Sequence, residues 1–125
     1  MSLPHEFSAR ELVGLRRNGE LSASELVEFF LTRVDAHNPT LNALVTVTPE
    51  QALQQACEMD EGHRDPGVLW GLPFADKDLT NRAGVTTGAG SRVRSGKPAP
   101  LESDPMARAM DVAGGISLGK SAVCE

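Results

Sequence analysis

Gly71-Leu72-Pro73-Phe74-Ala75-Asp76-Lys77-Asp78-Leu79-Thr80 runs from an apolar entry to a lysine held between two aspartates, then continues as Asn81-Arg82-Ala83-Gly84-Val85-Thr86-Thr87-Gly88-Ala89-Gly90-Ser91. The first half reads as a strand and the second as a loop of glycines and small hydroxyl residues, an arrangement that delivers a chemical group to a site. In an extended backbone side chains alternate in direction, so Pro73, Ala75, Lys77 and Leu79 share one face while Leu72, Phe74, Asp76 and Asp78 share the other. Lys77 then has apolar neighbours on its own side. Desolvation disfavours the charged amine, and bringing its pKa from about 10.4 to about 7 would cost roughly 4 to 5 kcal/mol. Such a cost is tolerated where a base or nucleophile is needed. The alternative is a surface lysine paired with Asp76 or Asp78, and residue types alone leave both readings open.

Upstream, Ser8-Ala-Arg-Glu11 and Ser22-Ala-Ser-Glu25 are capping boxes, each announcing a helix. The first is expected over about 9–17. The second, about 23–37, puts Leu26, Val27, Phe30, Leu31 and Val34 on one stripe and is expected to stop before Asn38-Pro39. Leu44-Val45-Thr46-Val47-Thr48 suits a strand, and Pro49 starts a third helix in which Ala52, Leu53, Ala56 and Cys57 share a face. Cys57 on that face reads as a small core residue. Glu58, Asp60 and Glu61 form its solvated end, and 62–67 is a turn.

Downstream of the lysine stretch, residues 92–102 read as a surface connection. Ser103 or Asp104 caps a helix with Pro105 in its first turn and Met106, Met110 and Ala113 on its apolar edge. Ile116-Ser117-Leu118 follows as a short strand. Helices alternating with strands predict an α/β fold with a mixed, largely parallel sheet flanked by helices.

The 125 residues suffice for one domain, and 40% hydrophobic with 23% charged residues is a globular composition. A net charge of -5 with no basic cluster argues against nucleic acid as a partner. No apolar run approaches the ~20 residues of a membrane span. His5 and Glu6 interrupt any secretory pattern, and Cys57 and Cys124 lack paired spacing, which together suggest a cytoplasmic protein with free thiols. His5, His37 and His63 are scattered, so neither a metal nor a cofactor is expected. Gly114-Gly-Ile-Ser-Leu-Gly-Lys120-Ser121 matches the phosphate-loop pattern letter for letter. It is refused because a strand is expected inside it and no helix has room to follow.

The lysine stretch resembles the corresponding segment of the amidase signature family, through Gly71-Leu72-Pro73-Phe74, Lys77-Asp78, Gly84, Thr86-Thr87 and Gly90-Ser91. The resemblance continues through Ser103-Asp104, Ala113 to Ser121 and Glu125, and upstream through Ser22 to Asn42 with the Asn38-Pro39-Thr40-Leu41-Asn42-Ala43 turn. It implies the amidase signature fold and hydrolysis of a carboxylic amide C–N bond by a Ser-cisSer-Lys triad, with Lys77 the catalytic lysine. In that family the nucleophile and bridging serine lie downstream in a glycine- and serine-rich segment. The 125 residues contain no Gly-Gly-Ser-Ser-Gly-Gly stretch, and Ser91, Ser95, Ser117 and Ser121 lack its context.

Residues 1–125 are therefore expected to be the amino-terminal part of one amidase signature domain, a helical 1–40 segment leading into the α/β core. Alone they should be inactive. The implied partner is a small-molecule amide, with no membrane, and homo-oligomer formation is left open. Asp76 departs from the small or apolar residue common before the family lysine. It is expected to point away from Lys77 and to pair with Arg82 or Arg92. Two further readings stand beside hydrolysis: an amidotransferase A-type subunit releasing ammonia from glutamine, and a non-catalytic fragment or small α/β interaction domain.

Overall fold

The computed structural model describes residues 2–94 and 96–124. Ser95, one of the hydroxyls weighed above, lies outside them, as does Glu125 at the end of the resemblance. Among the described residues four α-helices and three strands follow the order α1 (Ala9–Arg17), α2 (Ala23–Leu41), β1 (Leu44–Val47), α3 (Pro49–Asp60), β2 (Pro73–Lys77), α4 (Pro105–Val112) and β3 (Ile116–Ser121).

Both capping boxes form. Ser22 Oγ accepts from the Glu25 amide at 3.0 Å while the Glu25 carboxylate accepts from the Ser22 amide at 2.8 Å, and Ser8 with Glu11 does the same at the start of α1. The Asp60 carboxylate, arriving from the end of α3, accepts from the Ala23 and Ser24 amides at 2.8 and 2.9 Å. The exposed amides at the start of α2 are thus tied to the helix that packs beside it.

α2 runs past the expected stop and carries Pro39 inside it. Proline there removes the bond to the carbonyl four residues back and crowds it, but both Pro39 and Asp35 are exposed, so that carbonyl can tilt outward and bond water. The helix ends at Asn42, with φ of 50°, and the Asn38 side chain bonds both the amide and the carbonyl of Leu44, turning the chain into β1.

The sheet has the order β1-β3-β2, with β1 antiparallel and β2 parallel to the central β3. It is mixed, as expected. One side of β3 carries Ile116 and Leu118, which pack with Ala23, Val27 and Leu31 of α2 and Ala52, Ala56 and Met59 of α3 to form the core. The buried stripe of α3 is therefore 52, 56 and 59. Leu53 is 39% exposed and Cys57 is exposed, which corrects the core assignment of Cys57: the helix is rotated so that Met59 closes the face instead.

β3 is longer than the three residues expected and carries an irregularity. Phe74 pairs with Ser117 and Asp76 with Lys120, so two residues of β2 are spanned by three of β3. That extra residue is a β-bulge at Leu118-Gly119, and it puts Lys120 on the same side of the sheet as Ser117 instead of the opposite one. Gly119 has φ of 147° and its Cα abuts the Thr46 carbonyl so closely that a Cβ would collide with it. Only glycine fits. The phosphate-loop lettering thus falls on a central strand.

Candidate active site

The second side of the sheet is polar. Asp76, 6% exposed, accepts from Ser117 Oγ at 2.8 Å and from two nitrogens of Arg82, one of them Nη2 at 3.2 Å. Arg82 Nη1 also donates to both carboxylate oxygens of Asp111 at 2.9 Å, and its guanidinium lies 5.7 Å from the centre of the Phe74 ring. Burial weakens the hold of Arg82 on its proton, but the two carboxylates outweigh it and push its pKa up. The expected Asp76–Arg82 pair is present.

Asp78 is buried beside this pair. Its carboxylate accepts from the Gly88 amide at 3.1 and 3.2 Å and lies 3.8 Å from Lys120 Nζ. Its own amide donates to the Ser121 carbonyl, and its carbonyl accepts from the Ala89 amide at 3.0 Å. Lys120 is fully buried, donating to the Thr80 carbonyl at 2.6 Å and to Thr87 Oγ1 at 3.2 Å. Burial lowers its pKa, while Asp78 and Asp76 counteract that fall.

These groups fix the glycine-rich loop. Thr87 Oγ1 donates to the Asn81 side chain, the Asn81 amide donates to Asp104 at 2.7 Å, and the Ala83 amide donates to Ser103 Oγ at 2.9 Å. Asp104 does stand at the start of α4, but its side chain serves the loop and makes no capping bond to the helix. The loop expected over these residues is thus tied at both ends, to Asp78 just after β2 and to Ser103 and Asp104 just before α4.

Lys77 closes β2 on the other face. The alternation is as expected, with Asp76 and Asp78 on one side and Ala75, Lys77 and Leu79 on the other, but the environments are reversed. The aspartate side is buried and the lysine side exposed, which corrects the expectation that these residues hold the Lys77 amine dry. Arg82 and Lys120 neutralise the aspartates, so the carboxylates can be buried, whereas none of the described residues buries the lysine face. Among the described residues Lys77 Nζ makes no hydrogen bond or ion pair, though its carbonyl accepts from the Thr80 amide at 2.8 Å.

Among the described residues, the three other candidate serines weighed from sequence bond elsewhere and none bonds the Lys77 amine. Ser117 is committed to Asp76, Ser121 donates to the Asp76 carbonyl at 3.3 Å although it is cross-strand partner of Lys77, and Ser91 accepts from the Val93 amide. Lys120 and its partners were missed as a cluster from sequence. The available signal was Gly119 inside a strand pattern, the mark of a bulge that shifts the phase of everything after it.

A model of the family described as Amidase matches residues 25–125. The chain is 40% identical over 119 residues to the A-type subunit of the glutamyl-tRNA(Gln) amidotransferase of Alkalilimnicola ehrlichii, covering 94% of this chain and 24% of that protein. Among solved structures it superposes with TM-score 0.79 on the native peptide amidase of Stenotrophomonas maltophilia, at 29% identity over 93% of this chain and 24% of the other. An inhibitor-bound vestigial protein complex, described as revealing the origins of an s-triazine catabolic enzyme, gives TM-score 0.86 at 28% identity, covering 95% and 27% respectively. The chain spans about a quarter of the length of the proteins it matches. No helix among the described residues is long and apolar enough to cross a membrane.

Proposed function

Because this chain belongs to the amidase family, we propose that it forms the amino-terminal, lysine-bearing part of an enzyme that cleaves a carboxylic amide C–N bond, with Lys77 as its base. The observation that carries this reading is the placement of Lys77: it ends a parallel strand with its side chain open, and the next residue, Asp78, anchors the hydroxyl-rich loop through the Gly88 amide. An amine so placed is accessible to groups brought by further polypeptide.

In this proposal a serine outside these residues attacks the amide carbon. Its proton passes through the bridging serine to the neutral Lys77 amine and returns to the leaving amine as the C–N bond breaks; water then cleaves the acyl-serine ester, freeing the acid and restoring the serine. Glycine-rich backbone amides hold the tetrahedral oxyanion. Covering Lys77 with further chain would remove it from water and disfavour its charged form. Asp76 does not oppose this, since it points to the other face and is already paired with Arg82.

The test joins residues 1–125 to a downstream segment bearing the two serines and measures ammonia release from simple primary amides. Turnover is expected with that segment and absent without it, and Lys77→Ala should abolish it. Turnover by a verified 125-residue chain, or turnover that survives Lys77→Ala, would refute the assignment of roles.

The likeness to the A. ehrlichii protein favours a second reading, an amidotransferase A-type subunit that releases ammonia from glutamine. Glutamine hydrolysis that depends on added partner subunits would select it over free amide hydrolysis.

A further inference from the structure

Lys120 is a buried cation that the amide-cleaving mechanism does not use. Among the described residues, the hydrogen bonds and ion pair of its ammonium fall in the segment that follows Lys77: the Asp78 carboxylate, the Thr80 carbonyl and Thr87 Oγ1. The ladder of β2 ends at Lys77, where a strand end with an open side chain would ordinarily fray. Here the Thr80 amide folds back on the Lys77 carbonyl, and Lys120 holds the other end of that turn through the Thr80 carbonyl at 2.6 Å.

The same ammonium gathers the far arm of the loop. Thr87 accepts from it at 3.2 Å, and Asp78, beside it at 3.8 Å, accepts from the Gly88 amide. Fully buried and turned away from Lys77's face, Lys120 cannot itself reach a substrate.

We propose that Lys120 is a positioning residue for Lys77, joining the 77–80 turn and the 87–89 segment into one rigid unit; as a role in catalysis this rests on the amide-cleaving reading above. The bulge at Gly119 is what makes it possible, because without the extra residue the lysine side chain would leave β3 on the core side.

Lys120→Met keeps the length of the side chain and removes the charge, and Thr87→Val removes one of its acceptors. Amide hydrogen exchange on the 125-residue chain is read at Thr80, Gly88 and Ala89, with the α2 amides of Val27 and Leu31 as the control. Losing hydrogen bonds to a charged group should speed local exchange by about tenfold to a hundredfold, with α2 unaffected. Thr87→Val should act in the same direction and more weakly. If Lys120→Met does not fold, Thr87→Val decides the matter against Asn81→Ala, which removes the other partner of Thr87 Oγ1: acceleration beyond that of Asn81→Ala supports the clamp, and none beyond it overturns the proposal.

Unchanged exchange at all three amides, or equal acceleration in α2, overturns the proposal, the latter because it marks general support of the fold. With the serine-bearing segment attached, Lys120→Met should lower kcat while KM holds, since a displaced base about 1 Å out of place costs up to about a hundredfold. A parental kcat with the loop amides released severs the link to Lys77. Absence of turnover in the parent sinks the amide-cleaving reading instead, and leaves the exchange result to decide the clamp.

Discussion

Arg82→Met removes the cation on which the polar side of the sheet depends. Arg82 is 11% exposed and the Asp76 side chain 4%, so the pair lies well outside the surface regime in which ion pairs contribute almost nothing. After the substitution Asp76 keeps only the Ser117 Oγ hydrogen bond, and its buried carboxylate loses the cation bonded to it, leaving Lys120 as the more distant countercharge. Two unit charges about 4 Å apart interact by about 4 kcal/mol at an effective dielectric of about 20, and breaking one side of a buried pair costs about 3 to 5 kcal/mol. The second arm, to Asp111, adds less because that side chain is 30% exposed. A loss of about 4 kcal/mol is therefore expected, much of the ~5 to 15 kcal/mol that holds a domain together.

Urea denaturation followed by circular dichroism measures it. With m of about 1.5 kcal/mol per molar, the midpoint should fall by between 2 and 3 M, roughly. The double variant Asp76→Asn/Arg82→Met tests the cause, since asparagine can still accept from Ser117 but carries no charge. It should be more stable than Arg82→Met alone. A loss under about 1 kcal/mol for Arg82→Met, or a double variant whose losses simply add, would refute the buried-charge account.

Gly119→Ala should destabilise by about 2 kcal/mol or more, because φ of 147° and the abutting Thr46 carbonyl leave no room for a Cβ; a thermal midpoint within 2 °C, roughly, of the parent's would argue against the bulge. Lys77→Ala should leave stability within about 0.5 kcal/mol, the amine being exposed and unbonded among the described residues, so a large loss by urea titration would contradict the open face. Burial pushes the Asp60 carboxyl up, but contacts with Ser24 and Ala23 and the charge of Arg16 outweigh it and hold its pKa below the ordinary value. A depressed carboxylate stabilises above its unfolded pKa of about 3.9 and loses that contribution as pH falls through the folded value. Stability should thus drop below about pH 4, and Asp60→Asn should flatten that acid limb; an identical acid limb in the variant counts against the cap.

Local rules made much of the chain readable. The serine–glutamate boxes fixed both helix starts, since a hydroxyl and a carboxylate three residues apart bond amides that nothing else can reach. Pro49 and Pro105 marked two more, and the alternation of β2 placed Asp76 opposite Lys77. The end of α2 was less legible, because whether Pro39 stops a helix depends on whether water can reach the carbonyl it leaves unbonded. Cys57 was misplaced for a similar reason: Leu53, Cys57 and Met59 are all apolar enough to face inward, and the angle at which α3 meets α2 and β3 chose Met59.

Residue order thus dictates where elements begin, which side chains alternate, and that Lys77 stands at a strand end in a chain of the amidase family. It could not say which face of β2 would be buried. That was settled by Arg82, six positions after Asp76, and by Lys120, more than forty residues on, folding back against the aspartates. A charge can leave water only when another meets it, and such meetings are made by chain segments far apart in sequence.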